Sequence, residues 1–433
     1  MQTSIQEVFS YMNALWAPLR LSGFRRLFAG QALSDFANWS DFLALSAIVV
    51  YVWGYGAFEL ALLSICIGLP YVVVGPLAGL RIGRLDPRAV LVVCDLLRGI
   101  VVFGLLWAPS LAWLLLLVFL KMCASAVFDP VRQSAIKRFV PPSGLAEASA
   151  LSHMTVNATK IVAPMAGGAL IALHGPFAPF WLGAALYLLS AAVLLGLPRS
   201  APAALAAPSG DPDAPPPGAG TSRFIEEMRA ALRYVRSRRT LGFGIAYTGA
   251  MMFLLFLYDG LFVLFTARLG LGEASLGVLM SGIGGGSVLG ALAAGRWTFW
   301  KADPLRLMSR VGVLSGLMIA LVGVGAYGLL PTSMWFWAPC FAAMGFVGAF
   351  GSVPFGYLLQ TETTEATVAP VSAFANALQT GSMLAAPMLG AALAAWIGVG
   401  GVFLAAGAAM SAFAAAIGLK LAGRREAGAV SRS

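Results

Sequence analysis

Ala163-Pro164-Met165-Ala166-Gly167-Gly168-Ala169-Leu170-Ile171-Ala172 is echoed 223 residues later by Ala386-Pro387-Met388-Leu389-Gly390-Ala391-Ala392-Leu393-Ala394-Ala395. Self-similarity at a fixed offset marks an internal repeat. The same offset lays Ser149-Ala150 on Ser372-Ala373, and an offset of 224 lays Pro130 on Pro354. The chain therefore reads as two copies of one unit in parallel orientation. Residues 198–240, its least hydrophobic stretch, stand between the copies.

With 59% hydrophobic and 11% charged residues in 433, the chain lies far from soluble proteins, of which roughly a quarter is charged. A membrane helix takes about 20 apolar residues. Twelve such spans fit: 30–53, 57–82, 89–107, 111–136, 149–173 and 177–197, then 241–267, 273–297, 306–329, 333–359, 368–396 and 398–421. Two six-helix bundles follow, at 1–197 and 241–433, joined by a linker at 198–240. The fold class is an all-α membrane protein of twelve transmembrane helices.

Lys and Arg cluster at the N-terminus, around the loops after the second, fourth, sixth and eighth spans, and at the C-terminus. By the positive-inside rule both termini are cytoplasmic. Topology thus explains the net charge of +10, and nucleic acid is not needed as a partner. The loop after the tenth span breaks the pattern, with Glu362 and Glu365 and no base. Met1 to Pro18 is mixed polar and does not read as a cleavable signal.

The linker divides into two parts. Pro198 to Thr221 is an Ala/Pro/Gly run, read as a flexible connector. From Arg223 to Arg239, Phe224, Ile225, Met228, Leu232 and Val235 recur at helical spacing, with Arg223, Arg229, Arg233, Arg236, Arg238 and Arg239 placed elsewhere. That is a basic amphipathic helix for an anionic membrane face, or a solvated helix leading into the next span.

Several chemistries fall away. Cys66, Cys94, Cys123 and Cys340 are isolated in apolar stretches, so neither a disulfide framework nor a zinc site is expected. Two histidines, His153 and His174, do not make a metal centre, and no cofactor is expected. Gly282-Ile283-Gly284-Gly285-Gly286 lacks the spacing and preceding strand of a dinucleotide loop and reads as close helix packing. No Walker lysine motif is present, which argues against ATP as the energy source.

Phe24-Arg25-Arg26-Leu27-Phe28 with Gly30-Gln31, Gly75-Pro76-Leu77-Ala78-Gly79 running into Arg84 and Arg88, Asp95-Leu96-Leu97-Arg98, Pro130-Val131-Arg132-Gln133 and Gln360-Thr361-Glu362 occur in this order. Together they resemble a major facilitator superfamily transporter, nearest the branch of the enterobactin exporter and macrolide efflux proteins. The resemblance implies alternating access, a cavity lined by spans one, four, seven and ten, and no chemistry on the substrate. Two departures stand out. Gly83 replaces the aspartate that latches the cytoplasmic face in family members, with Asp86 as a substitute, and the arginine-glycine-arginine motif after the tenth span is missing. Ala158 to Gly168 is similar to the fifth-helix motif of drug:proton antiporters, with Lys160 in place of an apolar residue.

Charges within a bilayer are costly, so they pair or face a water-filled cavity. Asp35, Asn38 and Asp41 wind along the first span at i, i+3, i+6. At about 1.5 Å per residue, Asp41 and Lys121 of the fourth span reach mid-membrane, as does Lys160 of the fifth. Lys121 and Lys160 therefore compete as partner to Asp41. Asp259 of the seventh span falls near the repeat counterpart of Asp35. Asp41, Asp259 and Asp35 are the candidates to carry a coupling proton, with Asp41 or Asp259 preferred; a static ion pair that orients helices is the competing account. Trp39, Phe256 and Tyr258, with Phe42, Phe253 and Phe262, are candidates for a cavity wall, with lipid-facing anchors the alternative for several of them. Arg84, Asp86, Arg88, Asp95, Arg98, Asp129 and Arg132 are gating candidates, with Asp95–Arg98 and Asp129–Arg132 also readable as local i, i+3 pairs.

The sequence thus points to a non-enzymatic secondary transporter, a monomer in the bacterial inner membrane. It is expected to export a small amphiphilic molecule, a drug or siderophore-like metabolite, in exchange for protons. Uptake, lysolipid-type translocation, or a transport-inactive scaffold or sensor are the alternatives.

Overall fold

The computed structural model describes residues 16–82, 86–198, 220–297, 299–363 and 365–430. Among them the regular structure is entirely helical. The first span is broken into α1 (Ser22–Ser40) and α2 (Phe42–Ala47), followed by a π-helical turn at Ile48–Val52. Then come α3 (Ala57–Ile82), α4 (Pro87–Leu105), α5 (Leu111–Phe139), α6 (Leu145–His174) and α7 (Ala178–Leu195). Helix α8 (Gly220–Ser237) precedes the second repeat. The seventh span is also broken, into α9 (Arg239–Tyr258) and α10 (Phe262–Arg268). Helices α11 (Glu273–Arg296), α12 (Pro304–Ala326), α13 (Met334–Glu362) and α14 (Glu365–Val430) complete the chain, with α14 interrupted at Gly398.

Nine stretches among the described residues are long and apolar enough to cross a membrane. One of them, Pro370–Lys420, is two crossings divided at Gly398. The charged first span and α4, with Asp95 and Arg98, supply the remainder, so twelve crossings are present. Capping sets several starts: the Asp86 carboxylate accepts from the Arg88 amide at 3.2 Å, and Asp303 accepts from Arg306 at 3.2 Å. Each satisfies an amide that the first helical turn leaves without a partner.

The described chain divides into two compact units, Met1–Ile48 with Cys66–Asp211, and Val49–Ile65 with Pro212–Ser433. In the first, α1 packs on α6 and α7, and α4 on α5 and α7, around a core that includes Phe24, Leu27, Phe128, Val131 and Leu194. In the second, α11 pairs with α13, α12 with α14, and α9 with α14. An aromatic cluster anchors it, with Phe265 against Trp337 at 4.9 Å and Phe262 against Phe341 and Phe403 at 5.3 Å. Edge-to-face and tilted rings at these separations are favourable beyond their buried area.

The repeat is visible in the backbone. Gly175 (φ 84°) and Gly398 (φ 75°), 223 residues apart, occupy the left-handed region at the turns that follow the echoed motif. Glycine is the residue that pays no steric penalty there. Within the motif, a Cβ on Gly167 would meet the Ser40 carbonyl, and one on Gly390 the Leu257 carbonyl. Both glycines let a helix backbone press against the first helix of its own repeat, just before that helix breaks.

The amphipathic helix forms as α8. Its last turn belongs to the second unit, where Val235 joins the core and the Tyr234 hydroxyl donates to the Glu362 carbonyl at 3.0 Å. Arg229, Arg233, Arg236 and Arg238 stay exposed. Residues 199–219 of the Pro/Ala/Gly connector and Gly83 lie outside the described residues, while Gly220 and Thr221, expected in the connector, form the first turn of α8.

Candidate functional site

Two buried carboxylates, Asp41 and Asp95, and the partly buried Asp35 dominate the first unit, and each has a cation. Asp41 sits at the break between α1 and α2, where Lys121 of α5 reaches both its oxygens at 2.7 and 2.8 Å. The two side chains are 0% and 2% exposed. Gly183 of α7 closes another side, where a Cβ would sit at ordinary contact distance, 3.9 Å, from Asp41 Oδ2. Asp95 of α4 is ion-paired to Arg98 and lies 3.0 Å from Ser34 Oγ and 2.6 Å from Ser190 Oγ. The Arg98 guanidinium is sandwiched by Phe128 and Tyr187, at 4.1 and 4.8 Å from their centroids. Arg132 of α5 bridges Asp35 at 3.1 Å and Asp129 at 3.4 Å. Gln31 and Ser152 complete the network with reciprocal hydrogen bonds between α1 and α6, at 3.0 and 2.8 Å.

The second unit holds a cavity of about 390 Å³. That volume falls in the usual range of small-molecule sites, about 300–1,000 Å³. Its walls come from α9, α11, α12, α13 and the far end of α14, together with Asp259 and Phe262 at the seventh-span break. Met251, Met252, Met308, Met344 and Met410 supply an apolar, deformable surface. Thr248, Ser287, Ser315 and Ser352 add hydroxyls. Asp259 is the one formally charged residue among those lining it, and no ion pair to it forms among the described residues.

Matching of the sequence against the family model of the Major Facilitator Superfamily extends over residues 27–386. The chain belongs to the Major Facilitator Superfamily. Among relatives of this facilitator is the uncharacterized MFS-type transporter YfiS of Bacillus subtilis (strain 168), 26% identical over 89% of this chain and 90% of the relative. The enterobactin exporter EntS of Citrobacter koseri is 27% identical over 69% of this chain; the match spans 66% of the exporter, a little under two thirds. In fold it is similar to the nucleoside transporter NupG, with a TM-score of 0.62, 13% identity and coverage of 91% and 98% of the two chains. A bacterial homologue of the human lysosomal transporter Spinster superposes with a TM-score of 0.63, at 16% identity and coverage of 91% and 95%.

With the facilitator fold in hand, the residues expected from sequence can be placed. Lys121, not Lys160, pairs with Asp41. Lys160 is exposed and lies over the Trp39 ring at 5.7 Å. Asn38 Oδ1 is 3.4 Å from the Tyr187 hydroxyl. Arg132 is shared between Asp129 and Asp35, so the local pair is only part of its role. Asp86 caps α4, and Arg88 contributes its backbone amide to that cap. Arg84 lies outside the described residues. Tyr258 is buried and lines the cavity beside Asp259, while Phe253 and Phe256 pack on the second unit's core.

One expectation is corrected. Asp259 is the counterpart of the Asp41 region, not of Asp35. Gly167 contacts Ser40 and Gly390 contacts Leu257, so the offset between first and seventh spans is 217, and Asp259 then falls on Phe42. The turn glycines Gly54 (φ 69°) and Gly270 (φ 70°) give 216. The second repeat is about six residues longer before its fifth helix, so one offset does not serve the whole repeat.

The methionine wall was missed. A signal existed: Thr248, Met251, Leu255, Tyr258 and Phe262 recur every three or four residues along one face of the seventh span, with Asp259 next to Tyr258. The contributions of Met308 and Met410 carry no such mark, because they depend on how separate helices converge.

Proposed function

We propose that this facilitator is a secondary active transporter that exports a small amphiphilic molecule, drug or siderophore-like, across the bacterial inner membrane in exchange for protons. Both termini are cytoplasmic in this reading, supported by the clustering of Lys and Arg. The observation that carries it is Asp259, a carboxylate that lines a ligand-sized cavity without an ion pair among the described residues. A carboxylate free of a fixed cation can gain and lose a proton as access alternates. Asp41, held by Lys121 at both oxygens, is better suited to fixing the break in the first span. The relationship to the enterobactin exporter EntS supports export.

The basic face of α8 rests against the inner leaflet in the same reading, and α8 helps hold the cytoplasmic gate. The test is accumulation of amphiphilic probes in everted vesicles that contain the full chain. Accumulation should collapse when an uncoupler is added and in Asp259→Asn. Accumulation that survives both would overturn proton coupling through this residue.

A further inference from the structure

The two halves solve the same local problem differently. Lys121 lies nine residues before Pro130 in α5, and Gly345 lies nine before Pro354 in α13. The repeat therefore puts Met344-Gly345 where the first half has its lysine, and both residues line the cavity. Gly345 cannot be a shrunken version of that lysine site, because a Cβ there would strike the Ile283 carbonyl. Close approach of α11 and α13 thus removes the side chain that would have reached the carboxylate. What remains is an acid at the broken span, an open volume of about 390 Å³, and five methionines around it.

We infer that this cavity binds a monocationic amphiphile, whose positive group stands beside Asp259 as the Lys121 ammonium stands beside Asp41. A single carboxylate among apolar walls favours a cation and rejects an anion of equal shape, since an unpaired negative charge would have to be buried next to another. The methionines select apolar bulk over a defined outline, because their unbranched chains repack around different shapes. The inference rests on the transport reading for its purpose, but it is a statement about binding at equilibrium.

The test therefore uses the purified full chain in detergent with no gradient. Equilibrium dialysis compares tetraphenylphosphonium with tetraphenylborate, twins in shape and opposite in charge. The phosphonium should bind saturably at one site and the borate should not. Asp259→Asn should weaken the phosphonium at least about tenfold, or 1.4 kcal/mol, with an unchanged elution profile. Met344→Lys should abolish saturable binding by supplying a tethered ammonium. Gly348→Phe should do so by occupancy, since a Cβ at Gly348 meets nothing within 4 Å. Equal saturable binding of the borate, no binding of the phosphonium, or phosphonium binding unaltered in well-folded Asp259→Asn would each overturn the inference. Failure of gradient-driven export would leave these binding results standing. Failure of binding would leave gradient-driven export of an uncharged substrate standing.

Discussion

Asp41 and Asp259 occupy nearly the same place in two copies of one unit, each where the first helix of its repeat breaks, yet they live in opposite surroundings. Around Asp41 the space is closed: Lys121 contacts both oxygens, and Gly183 brings α7 close. Around Asp259 the space is open, and methionines stand where a partner would be. The comparison teaches that a duplicated scaffold can keep a backbone break and its carboxylate while changing what neutralises the charge. In one half the cation is built in; in the other the site is left for something that arrives.

The sharpest way to break this contrast is to remove the built-in cation. Lys121→Met leaves a buried carboxylate without compensation and should destabilise the protein by about 3–5 kcal/mol, seen as a lower melting temperature in detergent. Adding Asp41→Asn should recover most of that loss; no recovery would mean Lys121 matters for packing and not for charge.

A second comparison sets the repeat motifs against each other. Gly167→Leu and Gly390→Leu both drive a side chain into a facing carbonyl, at Ser40 and Leu257, and each should cost about 1–3 kcal/mol by overpacking. Thermal unfolding of both variants checks the equivalence; a tolerated Gly390→Leu would show that the second contact is slack. Ser190→Ala is expected to cost about 1–2 kcal/mol in the same assay, because Ser190 Oγ serves both Asp95 and the Gly30 carbonyl, at 2.6 and 2.8 Å. A melting temperature matching the parent would place the strength of that cluster in Arg98 and Ser34. Asp259→Asn should have the smallest effect on stability, about 1 kcal/mol or less, since no fixed partner is stranded. A loss as large as that of Lys121→Met would erase the distinction between the two acids.

Much of this was legible along the chain. Apolar spans of about 20 residues announce themselves because every backbone polar group in a bilayer must be satisfied within a helix. The echoed motif revealed the repeat because close packing against a neighbouring backbone tolerates few residues besides glycine and alanine. Asp41 with Lys121 was accessible through depth counting, although the same count admitted Lys160. The choice between them depended on azimuth around α5 and α6, which a linear count of rise does not contain.

The sequence alone determined the membrane class, the twelve crossings, the duplication and the short list of intramembrane charges, since each follows from local composition or periodic spacing. Tertiary structure decided which of those charges form ion pairs and which do not. Lys121 meets Asp41 through the convergence of two helices, Arg132 divides itself between Asp35 and Asp129, and Met308 and Met410 reach one cavity from spans far apart in the chain. Those outcomes are set by how closely helix pairs approach, and the Gly345 contact with Ile283 is the case that left Asp259 in an open site.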